Sequence, residues 1–264
     1  MPRFAANITW LFTELPILDR PAAARRAGFQ AVEFEYPYDI EPIALQKACA
    51  AAKVEFAMMI TPGPNWSGGP RGFAAVPGGE ELFRKDFERA LKITRRLGAR
   101  HINVLSGQAH GPDALDTMLA NLRWAVKRAP HASLTIEPIS PIERRMSSCG
   151  PTRQYLDTFD RATELLGRLN SPNVGLLFDA YHAQVLTEDV LRAWHRHRDQ
   201  IRHVQISGCP VRNEPVDCAI DYHALFRAID ESAYAGWVSA QYTPATTTEA
   251  GLGWLHEWAR ASAV

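Results

Sequence analysis

The sequence predicts an α/β protein folded as a single (β/α)8 barrel, and three observations predict it. Eight short apolar runs recur along the 264 residues, which leaves about 33 residues per unit, room for a strand, a helix and two loops. Each run precedes a stretch of helical periodicity. Several runs, such as Phe56-Ala57-Met58-Met59-Ile60 and Val174-Gly175-Leu176-Leu177-Phe178, are apolar almost throughout, the mark of parallel strands covered on both faces. No linker or shift in composition divides the chain, so one domain over 1–264 is expected. A doubly wound open sheet is the alternative. It calls for a glycine-rich phosphate loop after an early strand, and neither G-x-G-x-x-G nor G-x-x-x-x-G-K-[ST] occurs.

Taken in order, the expected strands are Phe4–Thr9, Ala31–Phe34, Val54–Ile60, His101–Leu105, Ser133–Glu137, Val174–Asp179, His203–Ile206 and Trp237–Gln241. The clearest helix runs from Glu80 to Leu97. Phe83, Phe87, Ala90, Leu91, Thr94 and Leu97 share one stripe, acidic residues open it where its dipole favours them, and Gly98 stops it. Ala27-Gly28 and Asn170-Ser171-Pro172 are two further stops before strands. The segment 61–79 breaks the rhythm: TPGPNWSGGPRGFAAVPGG holds six Gly and four Pro, a density that regular structure does not survive. It follows the third strand and so belongs on the C-terminal barrel face, where active sites form. With Trp66, Arg71 and Phe73 in it, it reads as a lid over a substrate.

Composition narrows the function. Lys plus Arg number 29 and Asp plus Glu 29, a balance that argues against nucleic acid or an anionic membrane surface as partner. No apolar run reaches the roughly 18 residues that span a bilayer, and Met1–Phe12 lacks the features of a signal peptide. Cys49, Cys149, Cys209 and Cys218 form no C-x-x-C pair, so reduced thiols and a cytoplasmic setting are expected.

Polar residues at the strand ends carry the chemistry. Glu137 in LTIEP, Asp179 in LLFDAYH, Gln205 in HVQIS and Gln241 in SAQYTP end four consecutive strands. Four oxygen-bearing side chains at one height suit Mg²⁺ or Mn²⁺ better than zinc. Each has a plain alternative: Asp179 as a helix cap, Glu137 as a loop acceptor, and the two glutamines as satisfied rim groups. His182, three residues after Asp179, can reach back over the site. His203 shares a strand face with Gln205 one layer deeper, while His195 and His197 read as a solvated helix face.

The opening RFAANITWLFTELPILDR, AGFQAVEFEYPYD, the PGPNWSGGPRGFAAVPG loop, IEPI, FDAYH, HVQI, WVSAQYTP and GLGWL together resemble the hydroxypyruvate isomerase family, within the xylose isomerase-like TIM barrels, almost end to end. The resemblance implies a metal-dependent aldose–ketose isomerase of small hydroxy-oxo acids: hydroxypyruvate to tartronate semialdehyde, or 2-oxo-tetronates. It implies metal ligands at Glu137, Asp179, Gln205 and Gln241, an active-site histidine at His182, and self-association. Proton transfer in the family is assigned to glutamates at the fifth and eighth strand ends, here Glu137 and Gln241. An amide has no basic carboxylate, so the set is incomplete and metal affinity is expected to weaken. Glu137 alone, or Glu35 after the second strand, is left to supply the base. A catalytically impaired sugar-acid-binding barrel is the second reading. Cys209 and Val216-Asp217-Cys218-Ala219 also depart from the family pattern, whereas Arg212 and Glu214 remain. Arg212 is the candidate to hold a substrate carboxylate through its planar fork, and Glu214, Trp66 and Arg71 complete the expected substrate contacts.

Overall fold

Strands form where the apolar runs stand. They are β1 (Arg3–Asn7), β2 (Ala31–Glu33), β3 (Glu55–Phe56), β4 (Met58–Ile60), β5 (His101–Asn103), β6 (Ser133–Ile136), β7 (Val174–Asp179), β8 (Ile201–Ile206) and β9 (Trp237–Ala240). The computed structural model describes residues 2–63, 71–141 and 153–261; Trp66 and Cys149 lie outside them. All described strands pair in parallel, in the order β3-β2-β1-β9-β8-β7-β6-β5-β4. The two ends of that order are halves of one stave, which closes the ring. The expected strand Val54–Ile60 is therefore broken at Ala57. A residue inside a strand points its N–H and C=O at one neighbour. Ala57 splits them, donating to the Val32 carbonyl at 2.7 Å and accepting from the His101 amide at 3.0 Å.

The helices are α1 (Arg20–Arg26), α2 (Pro42–Ala52), α3 (Glu80–Leu97), α4 (Asp113–Arg128), α5 (Phe159–Leu169), α6 (Ala180–Thr187), α7 (Val190–His197), α8 (Tyr222–Asp230) and α9 (Gly253–Ala261). Their ends obey local chemistry. Gly98 and Asn170 take left-handed backbone at φ 68° and 46° to end α3 and α5. The Thr158 and Asp189 side chains accept from the third residue on to start α5 and α7. The apolar stripes pack on the staves: Phe83, Phe87, Leu122, Leu165, Trp194 and Leu225 are buried in the main core.

Inside the ring the side chains form layers. Ala5, Ala31 and Ala57 surround the buried Trp237 at the N-terminal end, three small residues leaving the space one indole fills, and the Arg3 guanidinium lies 3.8 Å over that ring. Toward the C-terminal end the lining turns polar, with Asn7, Glu33, Asn103, Thr135, His203, Gln205 and Ser239 at 1% exposure or less. Buried polar groups on that scale need one another as partners, and they position the site above.

Two expectations change. His197 is not on a solvated face: it is buried and stacks on Phe159 at 4.9 Å, because α7 turns its last residue back to the core, while His195 is exposed. The second half of the predicted lid, 71–79, is docked. Ala74 and Ala75 are fully buried, the Ala75 amide donates to the Ser106 carbonyl at 2.8 Å, and Asn121 donates to the Ala74 carbonyl at 2.9 Å. Gly72 (φ +89°) and Gly107 (φ +82°) approach so closely that a Cβ at Gly107 would lie 2.3 Å from the Gly72 carbonyl oxygen.

Candidate active site

Asp179 is the last residue of β7 and the first cap of α6. Its Oδ1 accepts from the Tyr181 amide at 2.8 Å, so the plain helix-cap role is real and occupies only one oxygen. The other, Oδ2, faces the barrel axis. There it lies 3.7 Å from His182 Nε2, which in turn lies 3.9 Å from Glu137 Oε1. Glu137 follows β6 directly, and Asn103 from β5 donates to its Oε2 at 3.0 Å. Burial, reinforced by the Asp179 charge, pushes the Glu137 carboxyl up to about 8, so it holds a proton far more readily than an ordinary glutamate.

His182 is buried, and burial outweighs Asp179 in holding its imidazole down at about 4. Its tautomer follows from its neighbours. The Ser140 backbone amide donates to Nδ1 at 3.2 Å, with the Ser140 hydroxyl 2.8 Å away. Nδ1 is therefore the acceptor, and Nε2 carries the proton toward Glu137 and Asp179. His182 serves as a neutral hydrogen-bond donor.

Arg212 enters from the loop after β8. Its Nη2 donates to Asp179 Oδ2 and to Gln241 Oε1, the latter at 2.7 Å, and its guanidinium lies 4.6 Å over the Tyr181 ring. Nη1 stands 3.5 Å from His182 Nε2. Two N–H donors that face each other in this way leave room for one electron-rich oxygen between them. Gln241, just past β9, has its oxygen on Arg212 and its nitrogen on Glu35 Oε1 at 2.9 Å. In this arrangement the expected metal ligand Gln241 bridges Arg212 and Glu35.

Gln205 lies deeper. Its Nε2 donates to Glu33 Oε1 at 2.7 Å, which leaves its carbonyl oxygen as the atom for a ligand. Glu33 is the residue sequence reasoning missed. Fully buried, it binds His203 Nε2 at 2.6 Å and accepts from Asn7 Nδ2 at 2.6 Å. The signal was a charged residue inside an apolar strand run, Ala31-Val32-Glu33-Phe34-Glu35, with both glutamates on one face. His203 sits one layer below Gln205 as expected. Arg71 is exposed at the mouth, where its charge reaches His182 and Tyr36. Glu214 does not join the cluster. Both its carboxylate oxygens accept from the Ala245 amide, at 3.1 and 3.3 Å, pinning the loop after β8 to the loop after β9. Trp66 lies outside the described residues.

The donor set suits a divalent cation. Single ligand atoms of Glu137, Asp179 and His182 lie within 4.8 Å of one another, and Gln205 stands on the adjacent strand in register with Asp179. With His182 Nε2 protonated, the donors left are oxygens, the preference of Mg²⁺ or Mn²⁺.

The xylose isomerase-like TIM barrel model matches residues 21–258. The chain belongs to that family. Within it, the chain is 35% identical to hydroxypyruvate isomerase of Escherichia coli (strain K12), over 97% of this chain and 98% of that one. It is likewise 35% identical to 2-oxo-tetronate isomerase of Cupriavidus necator, with the same coverage. These near full-length likenesses make this family member an enzyme related to isomerases. Among solved structures, one described as AP endonuclease, family 2 from Brucella melitensis superposes with a TM-score of 0.90 at 33% identity, covering 98% of this chain and 99% of that chain. L-ribulose 3-epimerase, at 21% identity and a TM-score of 0.72 over 100% of this chain and 87% of that one, shares the fold. Among the described residues no helix is long and apolar enough to cross a membrane.

Proposed function

We propose that the protein is a metal-dependent aldose–ketose isomerase of a small hydroxy-oxo acid, hydroxypyruvate or a 2-oxo-tetronate, working through an enediolate. The observation that carries the reading is the convergence of Glu137, Asp179 and His182 within 4.8 Å at the C-terminal barrel end. The names of the relatives support the substrate class.

Moving a carbonyl by one carbon requires a proton to leave the neighbouring C–H and return next door. Glu137, raised toward neutrality, is suited to act as one carboxylate of that transfer. His182 Nε2–H stabilises the oxygen on which negative charge develops, without releasing its own proton. Arg212 offers its Nη1 edge to the substrate carboxylate, with Arg71 and Trp66 as further substrate contacts. A divalent ion held by Glu137, Asp179 and the Gln205 oxygen would supply Lewis-acid polarisation of the carbonyl. The formal charge of zero favours this small anionic substrate over DNA.

The test is turnover of hydroxypyruvate and of 2-oxo-tetronates by protein supplied with Mn²⁺ or Mg²⁺. Conversion that EDTA abolishes is expected. A second reading, a sugar-acid binder without turnover, is favoured by Gln241 alone; it expects these acids to raise the melting temperature and emerge unchanged.

A further inference from the structure

The proton-transfer chemistry proposed above is left one carboxylate short at the end of β9. The side chain standing against that position is Glu35. Glu35 as a whole is 6% exposed, and its backbone is fixed on both sides. Its amide donates to Thr9 Oγ1 at 2.9 Å, and its carbonyl accepts from the Ile60 amide at 3.0 Å. Three donors converge on one oxygen: Trp10 Nε1 at 2.7 Å, Gln241 Nε2 at 2.9 Å and Asn7 Nδ2 at 3.1 Å all bind Oε1. Among the described residues none binds Oε2. A carboxylate kept only to satisfy neighbours spreads its lone pairs over both oxygens; this one is held rigidly by one and leaves the other unused. The charge of Glu35 is felt at both Glu137 and Arg212, so all three share one field. Asp179 is unsuited to the task, because its Oδ1 caps α6 and its Oδ2 pairs with Arg212 and is the atom offered to the ion.

The geometry points to Glu35 as the second proton-transfer carboxylate, moved from the end of β9 to the end of β2, with Gln241 as the amide that orients it. This rests on the isomerase reading. One carboxylate takes the C–H proton while that bond's electron pair becomes the C=C bond of the enediolate. The other, protonated at the start, delivers its proton to the adjacent carbon as the C=O re-forms one carbon along, the hydroxyl proton passes to the former carbonyl oxygen, and exchange with solvent resets the two carboxyl groups. Substrate and product have the same atoms, and no co-reactant is used.

The test is Glu35→Gln, alone and with Gln241→Glu. The amide keeps an oxygen for Trp10, Asn7 and Gln241, so the fold is retained. We expect kcat to fall about 10²–10⁴-fold, with KM, Mn²⁺ affinity and melting temperature unchanged. The reciprocal double variant returns a carboxylate one hydrogen bond away and should recover at least about tenfold over Glu35→Gln. The role of Glu35 is overturned by a single variant within roughly threefold of wild-type kcat. It is equally overturned by a loss that tracks melting temperature or Mn²⁺ affinity, or by a double variant no better than the single. A wild type that turns over no hydroxy-oxo acid removes the isomerase reading and this role with it; an active wild type matched by Glu35→Gln removes the role alone.

Discussion

Replacing Gln241 by glutamate tests how this chain has rebuilt the end of β9. In the wild type the amide nitrogen donates to Glu35 Oε1 at 2.9 Å and the amide oxygen accepts from Arg212 at 2.7 Å. Glutamate keeps the second contact and turns the first into two acceptors face to face. Two unit charges about 3 Å apart at an effective dielectric of about 20 repel by roughly 5 kcal/mol. Proton uptake limits that cost: protonating an ordinary glutamate at pH 7 takes about 3.7 kcal/mol, less than the repulsion, and the resulting acid donates to Glu35 as the amide did. Gln241→Glu should therefore destabilise the metal-free protein by up to about 4 kcal/mol at pH 7, read as a lower urea midpoint with an unchanged slope. Added Mn²⁺ should restore much of the loss, since a cation beside the new carboxylate relieves the repulsion. A metal-free variant as stable as the wild type refutes the Glu35–Gln241 contact as the organising feature of this corner.

Other consequences are as direct. Glu137→Gln should lower kcat by about 10²–10⁴-fold while leaving the melting temperature unchanged or higher, because it removes a carboxylate that burial disfavours; activity retained to within a few-fold contradicts its role. Burial holds the His101 imidazole down at about 3, so between pH 6.5 and 3 the unfolded chain takes up a proton that the fold refuses. The contribution is full above pH 6.5 and is lost at about 1.4 kcal/mol per pH unit on acidification, about 2 kcal/mol by pH 5. His101→Gln should flatten the urea midpoint between pH 7 and pH 5, and an unaltered acid slope counts against it. Trp237→Ala empties the barrel floor among Ala5, Ala31 and Ala57 and should cost about 3–5 kcal/mol, seen in the same denaturation assay.

The barrel was legible because it is written in local terms. Near-continuous apolar runs marked the strands, and the stripe from Phe83 to Leu97 with its closing Gly98 marked α3 almost to the residue. Asp179 and Gln205 are singled out because each is a polar residue at the end of such a run, and the two stand in register on β7 and β8. What escaped depended on partners distant in the chain. Nothing local to Ala57 tells that it serves β2 and β5 with opposite groups, so its strand was read as unbroken. Glu33 disappears among apolar neighbours until β8 brings His203 and Gln205 against it, 170 and 172 residues away. Glu214 is expected as a substrate contact by family position, and its bond to the Ala245 amide, 31 residues on, could not be read locally. Gln241 was correctly read as lacking a base, but that its oxygen goes to Arg212 and its nitrogen to Glu35 is a fact of three loops meeting. The same holds for His197, whose two arginine neighbours suggested solvent while the end of its helix faces Phe159.

The central claim is that this barrel moves a proton between neighbouring carbons of a small hydroxy-oxo acid. Incubating Mn²⁺-loaded protein with hydroxypyruvate in D₂O and following the carbon skeleton by NMR tests it most directly. The account predicts tartronate semialdehyde with deuterium entering at the carbon that bore the carbonyl. Substrate that stays chemically unchanged and exchanges no carbon-bound hydrogen contradicts it.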